Sequence, residues 1–179
     1  VEKKSLPYLL CVTNMLLHDI NNPNIIRGNS LEVNVRDYEE QDKFDVILMN
    51  PPYGGTEKKS IQQNFPTDLR NSETADLFMV EILYRLKHNG RVGIVLPDGF
   101  LFGNDSTKVA IKKKLIEECN LHTIIRLPGS IFAPYTSIAT NLLFFDKTKV
   151  TEEIWFYRMN MPDGYKAFSK TKPVELKHL

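Results

Sequence analysis

The residues in this chain best placed to do chemistry are the four that end its apolar stretch "FDVILM": Asn50, Pro51, Pro52 and Tyr53. Pro51 restricts Asn50 to extended conformations, and Pro52 does the same to Pro51. The pair is therefore a stiff elbow that aims the Asn50 amide and the Pro51 carbonyl at one point. Neither proline has an N–H to compete for hydrogen bonds, so the local acceptors are the Asn50 side-chain oxygen and that carbonyl. Two convergent acceptors suit an amino group with two hydrogens. Tyr53 then offers a flat face for the ring that bears it. The same residues also serve as a plain turn, with Tyr53 covering the edge of a core. The tetrapeptide arises by chance in roughly one such chain per thousand, and its place directly after an apolar run favours a site.

Several elements must position that elbow. The continuous run "KFDVILMN" reads as a strand buried on both faces, and ligands of open α/β sheets bind beyond the carboxyl ends of their strands. Upstream, Leu9, Val12, Leu16 and Ile20 recur at helical spacing, which predicts a helix over about residues 6–20. "IIRGNSL" reads as a further strand. A polar loop follows Tyr53 to about Asn71, and Thr74 is the expected cap of a helix carrying Phe78, Ile82, Leu83 and Leu86 to Gly90. Strand "RVGIVLP", loop "DGFLFGNDS", helix "TKVAIKKKLIEEC", strand "HTIIRLP", loop "GSIFAPYTS", strand "IATNLLFFDK" and strand "EIWFYRM" complete the alternation. This is an α/β chain with a mostly parallel sheet. The last two strands stand too close for a helical crossover, so an antiparallel edge strand is expected there. Beyond Val150 the pattern loosens, and residues 151–179 read as a strand or hairpin with an extension toward a following segment.

Composition excludes several classes. Hydrophobic residues at 42% and charged residues at 25% are ordinary globular values, and 179 residues can bury one domain core. The apolar runs are far shorter than a membrane span, and no secretory leader opens the chain, so no membrane partner is expected. Cys11 and Cys119 have no metal or redox spacing and fit reduced thiols in a cytoplasmic protein. The four histidines form neither a metal pair nor a triad. A net charge of +1 neither favours nor excludes nucleic acid. Val1 without a preceding methionine points to a piece of something longer.

"FDVILMNPPYGG" taken with "VLPDGFLF" and "LPGSIFAPYTSIATNLLFF" resembles the methylase (modification) subunits of type I restriction–modification systems. These are adenine-N6 DNA methyltransferases that use S-adenosyl-L-methionine. The resemblance covers nearly the whole chain and implies a partial Rossmann-like fold, with residues 1–150 forming the C-terminal portion of the catalytic domain and its first strands missing. It implies methyl transfer to the amino group of an adenine flipped from double-stranded DNA, with a specificity subunit and a restriction subunit as partners. On this resemblance Asn50 and the Pro51 carbonyl accept from the adenine amino group, with Pro52 completing the elbow, and Tyr53 stacks on the base. Phe132 or Tyr135 supplies the opposite wall, or packs within its loop. Asn29 and Asn50 contact the cofactor, although relatives often place an acidic residue where Asn29 stands, and "GNS" also reads as a turn. No metal is implied. The four-residue motif is shared with protein glutamine and RNA methylases, and a non-catalytic scaffold is a third reading.

One departure matters. No close Gly-x-Gly loop occurs, and Gly90 and Gly93 flank the start of a strand, where a cofactor loop does not sit. The chain alone is accordingly expected to be inactive. Asp98 reads as a loop cap rather than a catalyst, and Lys112–Lys114 as a solvated helix face or a contact to DNA phosphates.

Overall fold

The structure, a computed structural model, describes residues 1–178. Its sheet has five strands: β1 (Phe44–Met49), β2 (Leu86–Pro97), β3 (Asn120–Arg126), β4 (Thr140–Asp146) and β5 (Trp155–Arg158), in the order β1-β2-β4-β3-β5. β1 runs parallel to β2, and β3 parallel to β5, while β4 is antiparallel to both of its neighbours. Every strand but β4 therefore points the same way, giving the mixed α/β sheet of mostly parallel strands that the sequence predicts.

The antiparallel strand sits elsewhere than expected. It lies inside the sheet, between β2 and β3, and the edge strand β5 is parallel to its neighbour. β5 does run opposite to β4, as their short connection requires, but β3 separates them. The connection stays at the amino ends of β3 and β5, where Thr151 fixes it: its N–H donates to Ile116 O (2.9 Å) and its Oγ1 to Cys119 O (2.7 Å). No helical crossover is needed, because β4 has already brought the chain back to that end.

One face of the sheet is closed by α3 (Thr74–Arg85) and α5 (Ser106–Glu118). Val92, Ile94 and Leu96 alternate inward from β2 to meet Leu77, Val80 and Leu83 of α3 and Ile111 and Leu115 of α5 in one core. α3 starts after Glu73, one residue before the expected cap, and ends at Arg85. β2 begins at the next residue, and Gly90 is required where it bends. A Cβ there would stand 2.6 Å from Leu86 Cδ1 and 2.9 Å from the Lys87 carbonyl. The expected loop at residue 98 instead opens with a one-turn helix, α4 (Asp98–Phe102). Lys112 caps it by donating to Leu101 O (2.9 Å) and Gly103 O (2.6 Å), so this lysine is occupied by the fold.

Among the described residues β1 is the end strand of the sheet, and only one of its faces is buried, not both as its apolar run suggests. Ile47 faces the core, whereas Val46 and Leu48 on the opposite face are 52% and 80% exposed. α1 (Ser5–Leu17) forms near its predicted span but buries none of its residues. The expected strand "IIRGNSL" is reduced to one bridge between Arg27 and Glu2. Asn29 then turns the chain into a 3₁₀ turn at Ser30–Glu32 by accepting from Leu31 N–H, a local bond that competes with strand pairing. α2 (Lys59–Gln62) is a single turn. Leu127, Met159 and Phe168 form a second, smaller cluster, on which Ile131 and Phe132 pack.

Candidate active site

Asn50 follows the last residue of β1 at the carboxyl edge of the sheet, where four strands end. Pro51 is buried, Tyr53 half-buried, and Asn50 and Pro52 exposed. The Tyr53 hydroxyl donates to Asn50 Oδ1, folding the elbow back on itself. Burial pushes the Tyr53 phenol up to about 12, so the hydroxyl stays a donor across the physiological range.

The loop beyond Tyr53 is fastened to the start of α3. Gly55 O accepts from Thr74 N–H (2.9 Å), Ser72 O accepts from Glu57 N–H (2.9 Å), and Thr56 and Glu73 form an antiparallel bridge. Gly55 has no room for a side chain, since a Cβ would lie 2.8 Å from Thr74 Oγ1. That helix start is pinned in turn by Lys108 of α5, whose ammonium meets Asp76 at 3.0 Å, Glu73 at 2.6 Å and Asp105 at 3.3 Å. Asp76 and the Lys108 side chain are almost wholly buried. Burial raises the Asp76 carboxyl above its ordinary value, while Asn71 and Lys108 pull it down. Burial opposes the Lys108 charge, but hydrogen bonds to Glu73 and Asp76 outweigh it and hold this amine above its ordinary range. Asp76 suits the first turn of α3 as an acidic residue, but sequence reasoning misses Lys108. The one local signal is the spacing of three between Asp105, which caps α5, and Lys108.

Asn50 and Pro52 line a cavity of about 430 Å³ together with Asn29, Ser30, Thr74 and Phe78. The structure thus brings Asn29 and Asn50 to one cavity, as the expected cofactor contacts require. The group that Asn29 offers is reversed, however. Its Oδ1 is taken by Leu31 N–H at 3.2 Å, while its Nδ2 is buried with no partner among the described residues. An orphaned buried donor is costly unless a ligand or water meets it. S-adenosyl-L-methionine carries acceptors on its ring and ribose, so the residues present fit it.

The aromatic candidates for the opposite wall part company. Phe132 packs against the cluster of Leu127, Met159 and Phe168. Tyr135, three residues further along the same loop, is 91% exposed. Their loop leaves β3, which is three strand spacings from β1, about 14 Å at ~4.8 Å each. Asp98 is held by the Arg126 guanidinium and by Asn141 Nδ2 (2.8 Å), which leaves it a structural anchor between β2, β3 and β4. Lys113 and Lys114 pair with Glu117 and Glu118, so the lysine run is largely neutralised. Among the described residues, no cluster of His, Cys, Asp and Glu could hold a metal ion, and no helix is long and apolar enough to cross a membrane.

The profile of the N-6 DNA methylase family matches residues 1–179. The chain belongs to that family. It is 54% identical over 98% of its length to the methylase subunit of the type I restriction enzyme EcoEI from Escherichia coli, and covers 35% of that protein. It is 34% identical to the EcoKI methylase subunit of Escherichia coli K12, over 95% of this chain and 33% of the relative. The chain thus spans about a third of the length of the curated relatives it matches. A crystal structure of a modification subunit from Vibrio vulnificus YJ016 superposes with a TM-score of 0.93 at 47% identity, over 99% of this chain and 38% of that one. In this N-6 DNA methylase chain the Asn-Pro-Pro-Tyr elbow follows the carboxyl end of β1, and the residues just after it, Gly55–Glu57, are fastened to the start of α3.

Proposed function

We propose that the full-length protein is a cytoplasmic DNA adenine-N6 methyltransferase. It transfers a methyl group from S-adenosyl-L-methionine to the amino group of an adenine extruded from double-stranded DNA. We further propose that it works as the modification subunit of a type I restriction–modification complex, beside specificity and restriction subunits. The observation that carries this reading is Asn50. It lines the same cavity as Asn29, whose Nδ2 has no partner among the described residues, and its Oδ1 accepts from the Tyr53 hydroxyl.

A carbonyl oxygen accepts two hydrogen bonds. The Tyr53 hydroxyl fills one site on Asn50 Oδ1 and fixes the direction of the other, which is left for the adenine amino group. With the Pro51 carbonyl as second acceptor, the amino group is held with its lone pair free. Both acceptors gain strength as positive charge develops on the nitrogen, which is where an acceptor accelerates the reaction. The half-buried Tyr53 ring supplies the face on which the extruded base stacks. Asn29 and Asn50 would hold S-adenosyl-L-methionine, which brings a methyl group already activated on a sulfonium.

Asn50→Ala in the full-length protein should lower single-turnover methylation of duplex DNA by on the order of a hundred- to a thousandfold while DNA binding is kept. Near-normal single-turnover transfer by this variant would remove Asn50 from the chemistry. Offering DNA, RNA and protein as alternative acceptors to the wild type tests the substrate class.

A further inference from the structure

At the other side of the carboxyl edge, the ends of β3 and β5 open into a cleft of about 450 Å³ lined by Arg126, Ser130, Arg158 and Lys166. Three cations share one hollow. Arg126 is partly engaged by Asp98, but Arg158 and Lys166 are exposed and meet no carboxylate within ion-pair distance among the described residues. The stretch from 158 to 172 adds Lys170 and Lys172 against a single acid, Asp163. This local excess contrasts with Lys112–Lys114, which are consumed by carbonyls and glutamates.

The cleft also offers neutral donors. The backbone N–H groups of Gly129 and Ser130 donate to no protein acceptor among the described residues. The Ser130 hydroxyl accepts from Phe168 N–H at 2.9 Å, which leaves its own hydrogen free to donate. Guanidinium, ammonium, hydroxyl and successive loop N–H groups are the donor set of an oxyanion site. The carboxyl edge is also where the proposed target adenine would stand.

We infer that the cleft formed by Arg126, Ser130, Arg158 and Lys166 binds a backbone phosphate of the DNA duplex, on the flank of the target adenine. This rests on the reading that the protein methylates DNA. With the duplex axis laid along the carboxyl edge, strand spacing sets the distance: at ~4.8 Å per strand, β3 and β5 stand about 14 and 19 Å from β1. At ~3.4 Å of rise per base pair, that places the phosphate roughly four to six pairs from the extruded base.

The test uses the full-length protein assembled with its specificity subunit, with Arg158→Gln and Lys166→Gln combined. Both side chains are exposed, so the fold should tolerate their loss, and unchanged S-adenosyl-L-methionine affinity by calorimetry verifies it. The slope of log K against log salt for duplex binding should flatten by about 0.9 for each phosphate that is no longer neutralised. Lys113→Gln, which removes a paired charge on α5, should leave the slope alone. Replacing single phosphates by neutral methylphosphonates should weaken wild-type binding at one position four to six pairs from the methylated adenine, and not weaken the double variant there. An unchanged slope in the double variant, or an equal change in Lys113→Gln, overturns the inference while leaving a DNA-methylating wild type intact. A wild type that binds no duplex overturns both readings. Inorganic phosphate at matched ionic strength should not compete with DNA; competition confined to the wild type would assign a free-anion site and overturn the duplex contact.

Discussion

Tyr53→Phe separates the two things that Tyr53 does in this structure. The ring face is the proposed platform for the base, and the hydroxyl donates to Asn50 Oδ1. The hydroxyl contact joins two neutral groups, one of them solvent-exposed, so its net worth falls in the lower half of the usual range, about 0.5–1 kcal/mol. At ~1.36 kcal/mol per tenfold, its loss slows transfer by roughly two- to fivefold. Tyr53→Ala loses that bond and also the stacking face, worth about 1–3 kcal/mol, which together amount to roughly ten- to several-hundredfold. Single-turnover methylation by the full-length protein reads the rates, and a fluorescent adenine analogue at the target reads base extrusion. Extrusion should survive in the Phe variant and fail in the Ala variant. The ratio between wild type and Tyr53→Phe should also stay flat from about pH 7 to pH 10, because the phenol, pushed up to about 12 by burial, keeps its proton throughout. A Phe variant as slow as the Ala variant would refute the stacking argument and assign the whole effect to the hydroxyl.

Two further outcomes follow from the clamp and the cavity. Lys108→Met should destabilise the protein by about 3–5 kcal/mol in denaturant titrations, because it strips the buried Asp76 of its counter-charge. Lys108 is held above its ordinary range, so its contribution is full below about pH 10 and is lost as pH climbs through the raised value. The variant should therefore show a flatter alkaline limb than the wild type. Asn29→Leu should weaken S-adenosyl-L-methionine binding to the full-length protein by about two- to tenfold in calorimetry, the worth of one neutral hydrogen bond. Unchanged affinity would remove Asn29 from the cofactor site.

Much of this is legible in the sequence because it rests on local chemistry. The elbow at Asn50–Tyr53 announces itself through two prolines that fix their own backbone, and β2 and α5 through apolar periods of about 2 and about 3.6. What the sequence hides depends on neighbours. A continuous apolar run cannot say whether both faces of β1 are covered: Ile47 meets the core, while Val46 and Leu48 on the other face stay open. Asn29 attracts attention for its oxygen, yet Leu31 N–H lies two residues away and claims it, so the free group is the nitrogen. Phe132 and Tyr135 are alike in sequence, and only the cluster at Leu127, Met159 and Phe168 decides which one is packed. Lys108 lies in an ordinary helical stripe because its partners, Glu73 and Asp76, come from a helix start more than thirty residues earlier.

The strand whose place differs from expectation has the largest consequence for the site. Had β4 been an edge strand, the segment between β3 and β4 would still leave the carboxyl end of β3, but its return would lie at the margin of the sheet. Set between β2 and β3, β4 begins at the carboxyl edge, so residues 127–139 start and finish there. Leu127 N–H closes this loop on Thr140 O at 3.0 Å, and Asn141 ties the start of β4 to Asp98 at the end of β2. The loop that carries Ser130, Phe132 and Tyr135 is thereby held between the elbow on β1 and the cations on β3 and β5. An antiparallel insertion into a parallel sheet thus gathers on one edge the groups proposed to face the base and the phosphate. It does so with a hairpin connection, where a helical crossover would have carried the chain to the opposite end.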